Sequence, residues 1–349
     1  MTSDDIERTG AVRQPDSAGA IGAGPGGAAE DDAPPRRRAV LGAVLGAATV
    51  GAAGAGTIAS ARAAGSTAAE DSTPAGTGAA SDDTAPGRFR DQVVLITGAT
   101  SGIGEATARA FAAEGAKVSF CGRRTELGRK VESEIRAAGG DATYLRADVR
   151  VPEQVKKFVD DTVRIYGRID VAFNNAGITR TAPLHELDLE TWEDVHRTNA
   201  RGVFLSIKYQ VPHMLRTGGG VIICTSSGSV RPAGTAYTAS KHAIDGIIKT
   251  AALDYGTRGI RVNAILPGTT DTALVRLEGI SDEQWEEFKE AWGPLNVDGM
   301  ERLATPEEIA RSVVSLAQAD AFSFMTGSTV YVAGGPHGGG KMHMPEGFS

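Results

Sequence analysis

Tyr237 and Lys241 lie four positions apart in the segment Tyr237-Thr238-Ala239-Ser240-Lys241. On a helix, side chains at positions i and i+4 lie on one face, so this spacing places an ammonium group beside a phenol. A neighbouring positive charge favours phenolate and lowers the pKa of the phenol toward working pH. Such a tyrosine can donate a proton to a carbonyl oxygen or accept one from an alcohol. The same spacing also occurs in amphipathic helices with a solvated lysine, so further features must decide.

A glycine-rich segment upstream is the second feature with chemical meaning. The apolar run 93–96 is typical of a buried parallel strand, and it leads directly into Thr97-Gly98-Ala99-Thr100-Ser101-Gly102-Ile103-Gly104. A helical pattern follows over 105–111. A glycine-rich turn between a strand and a helix lets backbone N–H groups approach a pyrophosphate at the positive end of the helix. This context favours a dinucleotide site over a simple tight turn.

The two segments together resemble those of the short-chain dehydrogenases/reductases, whose glycine motif is T-G-x-x-x-G-I-G and whose catalytic motif is Y-x-x-x-K. Further landmarks of that family follow in the expected order: Asp148-Val149, Asn174-Asn175-Ala176-Gly177, Asn199, Thr225-Ser226-Ser227, and Pro267-Gly268 with Thr272. The resemblance runs from about Asp91 to Gly335. It implies an α/β fold with a single-domain, Rossmann-like, doubly wound parallel sheet flanked by helices.

The predicted elements agree with that fold. Strands are predicted near 93–97, 117–121, 143–147, 170–174, 220–225, 261–265 and 329–332. Helices are predicted near 103–114, 125–138, 152–167, 189–216, 236–257 and 306–318. This alternation predicts right-handed crossovers and a parallel sheet, in which ligands bind beyond the carboxyl ends of the strands. The motifs fall at those ends.

The resemblance implies a nicotinamide dinucleotide as cofactor. Asp148 and Val149 would flank the adenine, and Asn175 with Gly177 would line the floor near the adenosine ribose. The full predicted cofactor-binding set is Gly98, Ser101, Gly102, Ile103, Gly104, Arg123, Arg124, Asp148, Val149, Asn175, Ala176, Gly177, Tyr237, Lys241, Pro267, Gly268 and Thr272.

The end of the second strand favours NADP, with NAD as the alternative. An NAD enzyme usually carries an acidic residue there to hold the ribose hydroxyls. This chain has Gly122 near that position and Arg123-Arg124 directly after it. A guanidinium can pair with a 2′-phosphate, which an acid would repel. The two arginines could also be the solvated start of a helix.

The resemblance also implies the catalytic roles. Tyr237 would be the general acid/base, and Lys241 would bind the nicotinamide ribose while lowering the pKa of Tyr237. Asn199 would hold a water in a proton relay, unless it marks a helix kink or a satisfied amide. Strand register favours Ser227 over Ser226 as the catalytic serine, and the loop 228–236 that follows looks shorter than in the family.

The expected reaction interconverts a secondary alcohol and a ketone, with nicotinamide carrying the hydride. The alternative is a non-catalytic dinucleotide-binding sensor or scaffold with the same fold, although Tyr237, Lys241, Asn199 and a serine pair are all present. Residues 270–303 are expected to form a helical flap over the substrate. Aromatic side chains in this flap could line an apolar pocket or pack the flap onto the body: Trp285, Phe288 and Trp292.

The N-terminal region differs in composition from the rest. Residues 1–35 are rich in Gly, Ala, Asp and Pro, and then Arg36-Arg37-Arg38 precedes a weakly hydrophobic stretch ending before Ala61-Arg62-Ala63. This pattern resembles a twin-arginine signal, and therefore predicts export. The alternatives are an uncleaved membrane anchor, or a disordered extension on a cytoplasmic protein. The predicted division is 1–63 signal region, 64–88 linker, 89–335 dinucleotide-binding domain and 336–349 tail.

Composition limits the partners. The net charge of -7 argues against nucleic-acid binding, so the expected partner is a small alcohol or ketone, with membrane contact only through the N-terminal signal or anchor. Cys121 and Cys224 each fall in a predicted buried strand, with no disulfide and no metal-ligand spacing expected. The family resemblance implies a homo-dimer or homo-tetramer formed through the helices near 189–216 and 236–257.

Overall fold

The computed structural model of the chain describes residues 87–336 and 343–347. The predicted signal region 1–63 and almost all of the predicted linker 64–88 lie outside the described residues, as does most of the predicted tail. The described part of the chain contains no helix that is both long and apolar enough to cross a membrane.

Seven parallel strands form one sheet. They are β1 (Val93–Thr97), β2 (Lys117–Gly122), β3 (Asp141–Arg146), β4 (Val171–Asn174), β5 (Gly220–Thr225), β6 (Ile260–Pro267) and β7 (Thr329–Val332). Their order across the sheet is β3-β2-β1-β4-β5-β6-β7. The direction of winding reverses between β1 and β4, and a crevice opens at such a switch point beyond the carboxyl ends of the strands.

Helices cover both faces of the sheet. They are α1 (Gly102–Ala113), α2 (Thr125–Ala137), α3 (Pro152–Tyr166), α4 (Leu189–His196), α5 (Gly202–Arg216), α6 (Thr235–Tyr255), α7 (Asp282–Asn296) and α8 (Pro306–Ala317). A π-helical segment, Arg197–Arg201, joins α4 to α5. Because strand side chains alternate between faces, neighbouring Leu95 and Ile96 enter two different hydrophobic cores, one on each side of the sheet.

The predicted fold class is confirmed: the chain forms a single Rossmann-like parallel sheet flanked by helices. The bounds predicted for β1, β5 and β7 agree with the structure, whereas β3 begins at Asp141 rather than at 143. β3 is an edge strand whose residues are mostly half-buried or exposed, so its hydrophobic pattern is weak. The helix predicted over 189–216 is interrupted by the π-helical segment.

The flap is helical, and its aromatic side chains pack within it. Phe288 stacks between Trp285 and Trp292, with ring centroids 5.2 Å apart in each pair. Asp271, which precedes the helix, accepts hydrogen bonds from Trp285 Nε1 at 2.9 Å and from Lys289 Nζ at 2.6 Å. None of the three lines the cleft described below, and they pack with other residues of the flap rather than joining it to the body.

The described end of the tail lies against the flap. The side-chain amide of Asn296 at the end of α7 donates to the main-chain oxygen of His343 and accepts from its N–H, both at 2.9 Å. Pro345 is buried. The last described residues thus add a contact to the far end of α7.

Candidate active site

A cleft of about 400 Å³ lies at the carboxyl ends of the strands. Its walls come from the glycine-rich turn, the ends of β2, β4, β5 and β6, and the beginning of the flap. Most of the predicted site residues line this cleft: Gly98, Ser101, Gly102, Ile103, Arg123, Arg124, Asp148, Val149, Asn175, Ala176, Gly177, Tyr237, Lys241, Pro267, Gly268 and Thr272. Gly104, Asn199 and Ser227 are not among the lining residues, whereas Ser226 is.

The glycine-rich turn has the shape that a pyrophosphate needs. Gly98 and Gly102 have φ values of 70° and 59°, in the left-handed region that favours glycine. A Cβ on Gly98 would lie 2.6 Å from the Cα of Ala176, and one on Gly104 would lie 2.3 Å from the carbonyl oxygen of Gly98. The turn therefore presents bare backbone where α1 begins, and its residues fit a dinucleotide.

Arg124 is anchored to the glycine-rich turn. Its guanidinium donates hydrogen bonds to Thr100 Oγ1 at 2.9 Å and to Ser101 Oγ at 2.5 Å. Arg123 and Arg124 are both exposed at the end of β2. This places two positive charges at the end of the cleft where the adenosine ribose of a dinucleotide would lie.

Asp148 is held as a carboxylate by Arg150. Burial raises the pKa of Asp148, but hydrogen bonds and attraction from Arg150 outweigh it and hold the pKa below its usual value. Arg150 lies 2.7 Å from Asp148 and 2.6 Å from Asp194. The Asp148 side chain is thus part of an ion-pair network at the edge of the cleft.

Asn175 connects the ends of three strands. Its Nδ2 donates to the carbonyl oxygen of Gly98 at 3.2 Å, and its Oδ1 accepts from Thr225 Oγ1 at 3.1 Å. Its own N–H donates to Thr97 Oγ1 at 3.1 Å. Asn175 therefore fixes the floor of the cleft, and its amide keeps one N–H and one oxygen lone pair beyond these bonds.

The flap side of the cleft approaches the glycine-rich turn. Thr272 Cγ2 lies 3.1 Å from the position that a Cβ on Gly102 would take. Gly268 at the end of β6 passes so close to Ala333 that a Cβ there would lie 2.8 Å from the Ala333 oxygen. These approaches place Pro267, Gly268 and Thr272 opposite the turn.

The Ser227 hydroxyl acts on the acidity of Tyr237. Burial raises the pKa of Tyr237 above its usual value, while the hydrogen bond from Ser227 and the positive charge of Arg231 act to lower it. Ser227 Oγ also accepts from the N–H of Ser229 at 3.1 Å, which orients the hydroxyl. Ser226, in contrast, donates its hydroxyl to the main-chain oxygen of Lys241 at 2.9 Å, away from Tyr237.

Lys241 lies beside Tyr237 as the spacing predicts, with its Nζ 5.8 Å from the tyrosine ring centroid. Its Nζ donates to the main-chain oxygen of Thr225 at 2.7 Å. Burial lowers the pKa of Lys241 to about 8. The expected effect of Lys241 on the pKa of Tyr237 stays a prediction, and the groups that act to lower that pKa here are Ser227 and Arg231.

Asn199 lies fully buried in the π-helical segment. Its Oδ1 accepts from the N–H of Ile178 at 2.8 Å, and its Nδ2 donates to the Ile178 oxygen at 2.9 Å and to Ser240 Oγ at 3.0 Å. The side chain is therefore a satisfied amide in an irregular helix, and it ties the cleft wall to α6. Its role in a water relay stays a prediction.

Arg231 is the residue near the reacting tyrosine that the sequence analysis did not single out. Its guanidinium carbon lies 5.7 Å from the Tyr237 ring centroid. The available signal was a basic residue in the short loop between Ser227 and Tyr237. Chain order alone does not show that this loop folds back over the tyrosine.

Comparison with known protein families gives one assignment for most of the folded part. A family model described as enoyl-(acyl carrier protein) reductase matches residues 98–337. The chain is 42% identical over 255 residues to an A-factor type gamma-butyrolactone 1'-reductase (1S-forming) from Streptomyces virginiae, covering 71% of this chain and 96% of that protein. It is 39% identical over 253 residues to a cyclohexanol dehydrogenase from Acinetobacter sp., covering 71% of this chain and 95% of that protein.

Solved structures agree with these relatives. Levodione reductase has a TM-score of 0.64 at 34% identity and covers 70% of this chain and 97% of its own. The aldohexose dehydrogenase of Thermoplasma acidophilum, in its ligand-free form, has a TM-score of 0.64 at 35% identity and covers 70% of this chain and 94% of its own. The site geometry and the comparisons point to the same chemistry.

Proposed function

The chain belongs to the short-chain dehydrogenase/reductase family, and we propose that it is an NADP-preferring enzyme acting on ring ketones and the corresponding secondary alcohols. The relatives support NAD(P)-dependent interconversion of alcohols and ketones. The NADP preference and the ring substrates are the parts that we propose. The observation that carries the proposal is Tyr237 in the lining of a cleft whose glycine-rich turn fits a dinucleotide, with Ser227 acting on the pKa of the tyrosine and Lys241 beside its ring.

In the proposed mechanism, Tyr237 exchanges a proton with the substrate oxygen, and Ser227 holds that oxygen by a hydrogen bond. A bound nicotinamide supplies or accepts the hydride at the substrate carbon. Lys241, buried beside Tyr237, would bind the nicotinamide ribose. Asn199 would position the water that returns a proton to solvent, held near Lys241 by the contact of its amide with Ile178.

The preference for NADP rests on the end of β2. Gly122 has no room for a side chain, since a Cβ there would lie 2.5 Å from Thr100 Cγ2. An aspartate that would hold the ribose hydroxyls of NAD is therefore absent and sterically opposed at this position. Arg124, fixed by Thr100 and Ser101, and its neighbour Arg123 would pair with a 2′-phosphate.

The proposed substrate class comes from the relatives. The names of two relatives specify a lactone and cyclohexanol, and a third is a 3beta-hydroxysteroid dehydrogenase from Mediterraneibacter gnavus that is 35% identical over 266 residues. All three names specify compounds that contain a ring, and in the first the primed locant places the reduced carbon on a substituent of that ring. We therefore expect a higher kcat/KM for cyclohexanol-like alcohols and ring ketones than for linear ones.

Purified protein tests the proposal directly. Oxidation of NADPH and NADH is followed at 340 nm with cyclohexanone, cyclohexanol being used for the reverse direction. We expect turnover with a kcat/KM at least about tenfold higher for NADPH, from one additional charged pair. Tight binding of NADPH with no turnover of any ring or linear ketone would instead support the sensor or scaffold alternative.

Localisation and assembly are two further proposals. The Arg36–Arg38 cluster and the Ala61-Arg62-Ala63 site support export through the twin-arginine route. N-terminal sequencing of protein from the native host would give a start near Ala64, whereas an intact Met1 would favour a cytoplasmic enzyme.

Exposed Phe204 on α5 and Leu253 on α6 support a homo-dimer or homo-tetramer. Light scattering of the protein as it elutes from a size-exclusion column would measure the mass of the assembly.

A further inference from the structure

Arg231 has hydrogen-bonding capacity that the protein does not use. Its Nη2 donates to Thr179 Oγ1 at 2.8 Å, in the loop that follows β4. Its Nε is buried and has no hydrogen-bond partner among the described residues. No carboxylate in the described part of the chain forms an ion pair with Arg231. A buried donor of this kind gains free energy when an acceptor arrives.

The loop around Arg231 holds the guanidinium in place. The side chain lies over Gly234, where a Cβ would lie 2.8 Å from Arg231 Cγ. Ala233 takes a φ of 58°, a left-handed conformation that is uncommon for a residue with a side chain. The oxygen of Ala233 accepts from the N–H of Ala182 at 3.0 Å, which joins this loop to the loop after β4.

Arg231 lies beside Tyr237 and contacts the loop that contributes Ile178 to the cleft wall. The guanidinium carbon lies 5.7 Å from the tyrosine ring centroid, and its partner Thr179 adjoins Ile178, which lines the cleft. The cation therefore lies beside the proposed acid/base, and its partner Thr179 is one residue along the chain from the cleft lining, although Arg231 itself is not a lining residue.

We propose that Arg231 is a specificity-determining residue that binds a second oxygen acceptor next to the reacting carbonyl of the substrate, either a carboxylate or a neutral carbonyl. This inference rests on the proposed function and narrows its substrate class. A planar guanidinium suits such oxygens because its N–H groups form a fixed fork. The reacting carbonyl oxygen itself would be bound by Tyr237 and Ser227.

Three ring ketones separate the possibilities: cyclohexanone, ethyl 2-oxocyclohexanecarboxylate and 3-oxocyclohexanecarboxylate. Wild type is compared with Arg231→Met, Arg231→Lys and the matched control Arg180→Gln, which removes an exposed arginine from the neighbouring loop. We expect Arg231→Met to lower kcat/KM about 10- to 100-fold for the ketones with a second oxygen and less than about threefold for cyclohexanone. Arg231→Lys is expected to retain part of the effect for the carboxylate only.

The losses of kcat/KM for the three ketones show whether Arg231 binds the substrate or only holds the loop that contains Thr179. An equal loss for all three ketones would assign Arg231 to holding the Thr179 loop and would overturn the proposal. A preference limited to the carboxylate would identify an anion site, and one shared by the ester would identify a carbonyl site. Thr179→Val, which removes the brace but leaves the cation, is expected to keep the wild-type ratio between substrates.

A binding measurement keeps this inference separate from the reaction. Calorimetric titration of cyclohexanecarboxylate into protein saturated with NADP needs no turnover. We expect Arg231→Met to weaken this binding about tenfold or more, with an unchanged affinity for NADP. Equal affinities for wild type and Arg231→Met would overturn the proposal even if ketone reduction is observed. A loss of affinity would support it even if no ketone is reduced.

Discussion

A Cβ on Gly122 would lie 2.5 Å from Thr100 Cγ2, so the end of β2 is closed to larger residues by the glycine-rich turn itself. Gly122→Asp alone is therefore expected to weaken binding of NADP and of NAD together, because Thr100 must move and its hydrogen bond from Arg124 is lost. Gly122→Asp combined with Thr100→Ser removes the obstructing methyl group. Titration of both cofactors should show NAD affinity partly restored by the double variant. Preference for NAD in the single variant would contradict this steric argument.

Ser227 and Ser226 are expected to have separable effects. Ser227→Ala should lower kcat/KM about 10- to 1000-fold with an unchanged cofactor affinity, since its hydroxyl acts to lower the pKa of Tyr237 and is proposed to hold the substrate oxygen. Ser226→Ala should mainly lower the free energy of unfolding by about 1 kcal/mol, because its hydroxyl bonds the main chain at Lys241. Steady-state kinetics and thermal unfolding of both variants test this. The reverse pattern would assign the catalytic hydroxyl to Ser226.

Tyr237→Phe should abolish turnover, with a loss of at least about 100-fold in kcat, because it removes the proton that the substrate oxygen exchanges. The phenylalanine ring preserves the packing, so the cofactor affinity and the melting temperature should change little. Fluorescence titration with NADPH provides this control. Residual activity within about threefold of wild type would exclude Tyr237 as the acid/base.

Lys241 makes the stability of the cofactor-free protein depend on pH. Burial lowers its pKa from 10.5 to about 8, so between these pH values the unfolded chain binds a proton that the folded protein does not. Above pH 10.5 the amine is neutral in both states and burying it carries no charge penalty. As the pH falls to about 8, the unfolded chain gains a proton that the folded protein lacks, and the free energy of unfolding falls. As the pH rises across that window, the free energy of unfolding should rise by up to about 3 kcal/mol relative to Lys241→Met. The free energy of unfolding is measured in urea at each pH for wild type and Lys241→Met. If the two curves run parallel, the pKa of Lys241 is not lowered by burial.

The flap should loosen when Asp271 is removed. Asp271→Ala leaves the indole N–H of Trp285 and the ammonium of Lys289 without their shared acceptor, at a cost of about 1–3 kcal/mol. We expect a raised KM for the substrate and a shifted tryptophan fluorescence, with kcat changed less. Glu286→Gln is the matched control, because Glu286 contacts Lys289 only from the exposed side. Equal effects of the two variants would argue against a specific role for Asp271.

The sequence predicted most of the fold because its central strands are buried on both faces. β1 is buried at all five positions, and this continuous apolar run made its bounds readable. β3 lies at an edge, so its bounds depend on pairing with β2 that no local pattern reveals. The order of the strands across the sheet has no local sequence pattern. It could be predicted only from the helical crossover connections between successive strands.

The candidate site was predictable where function depends on local spacing. The i to i+4 relation placed Lys241 beside Tyr237, and the strand-to-helix turn located the cofactor cleft. The sequence could not show that the Lys241 amine bonds Thr225, nor that the loop after β5 carries Arg231 to Tyr237. Both contacts join segments that lie apart in the chain, and their geometry depends on how the loops fold.

The π-helical segment Arg197–Arg201 has a consequence for the alignment of this helix with those of other proteins. A π turn holds one residue more than an α turn, so it acts as a one-residue insertion that was absorbed without a loop. Deleting one residue there would restore a regular helix with its flanking turns in place, and only the residues of the π segment would have to shift. Asn199 would then leave its partners at Ile178. The position of the amide is thus encoded by the length of the helix as well as by the residue type.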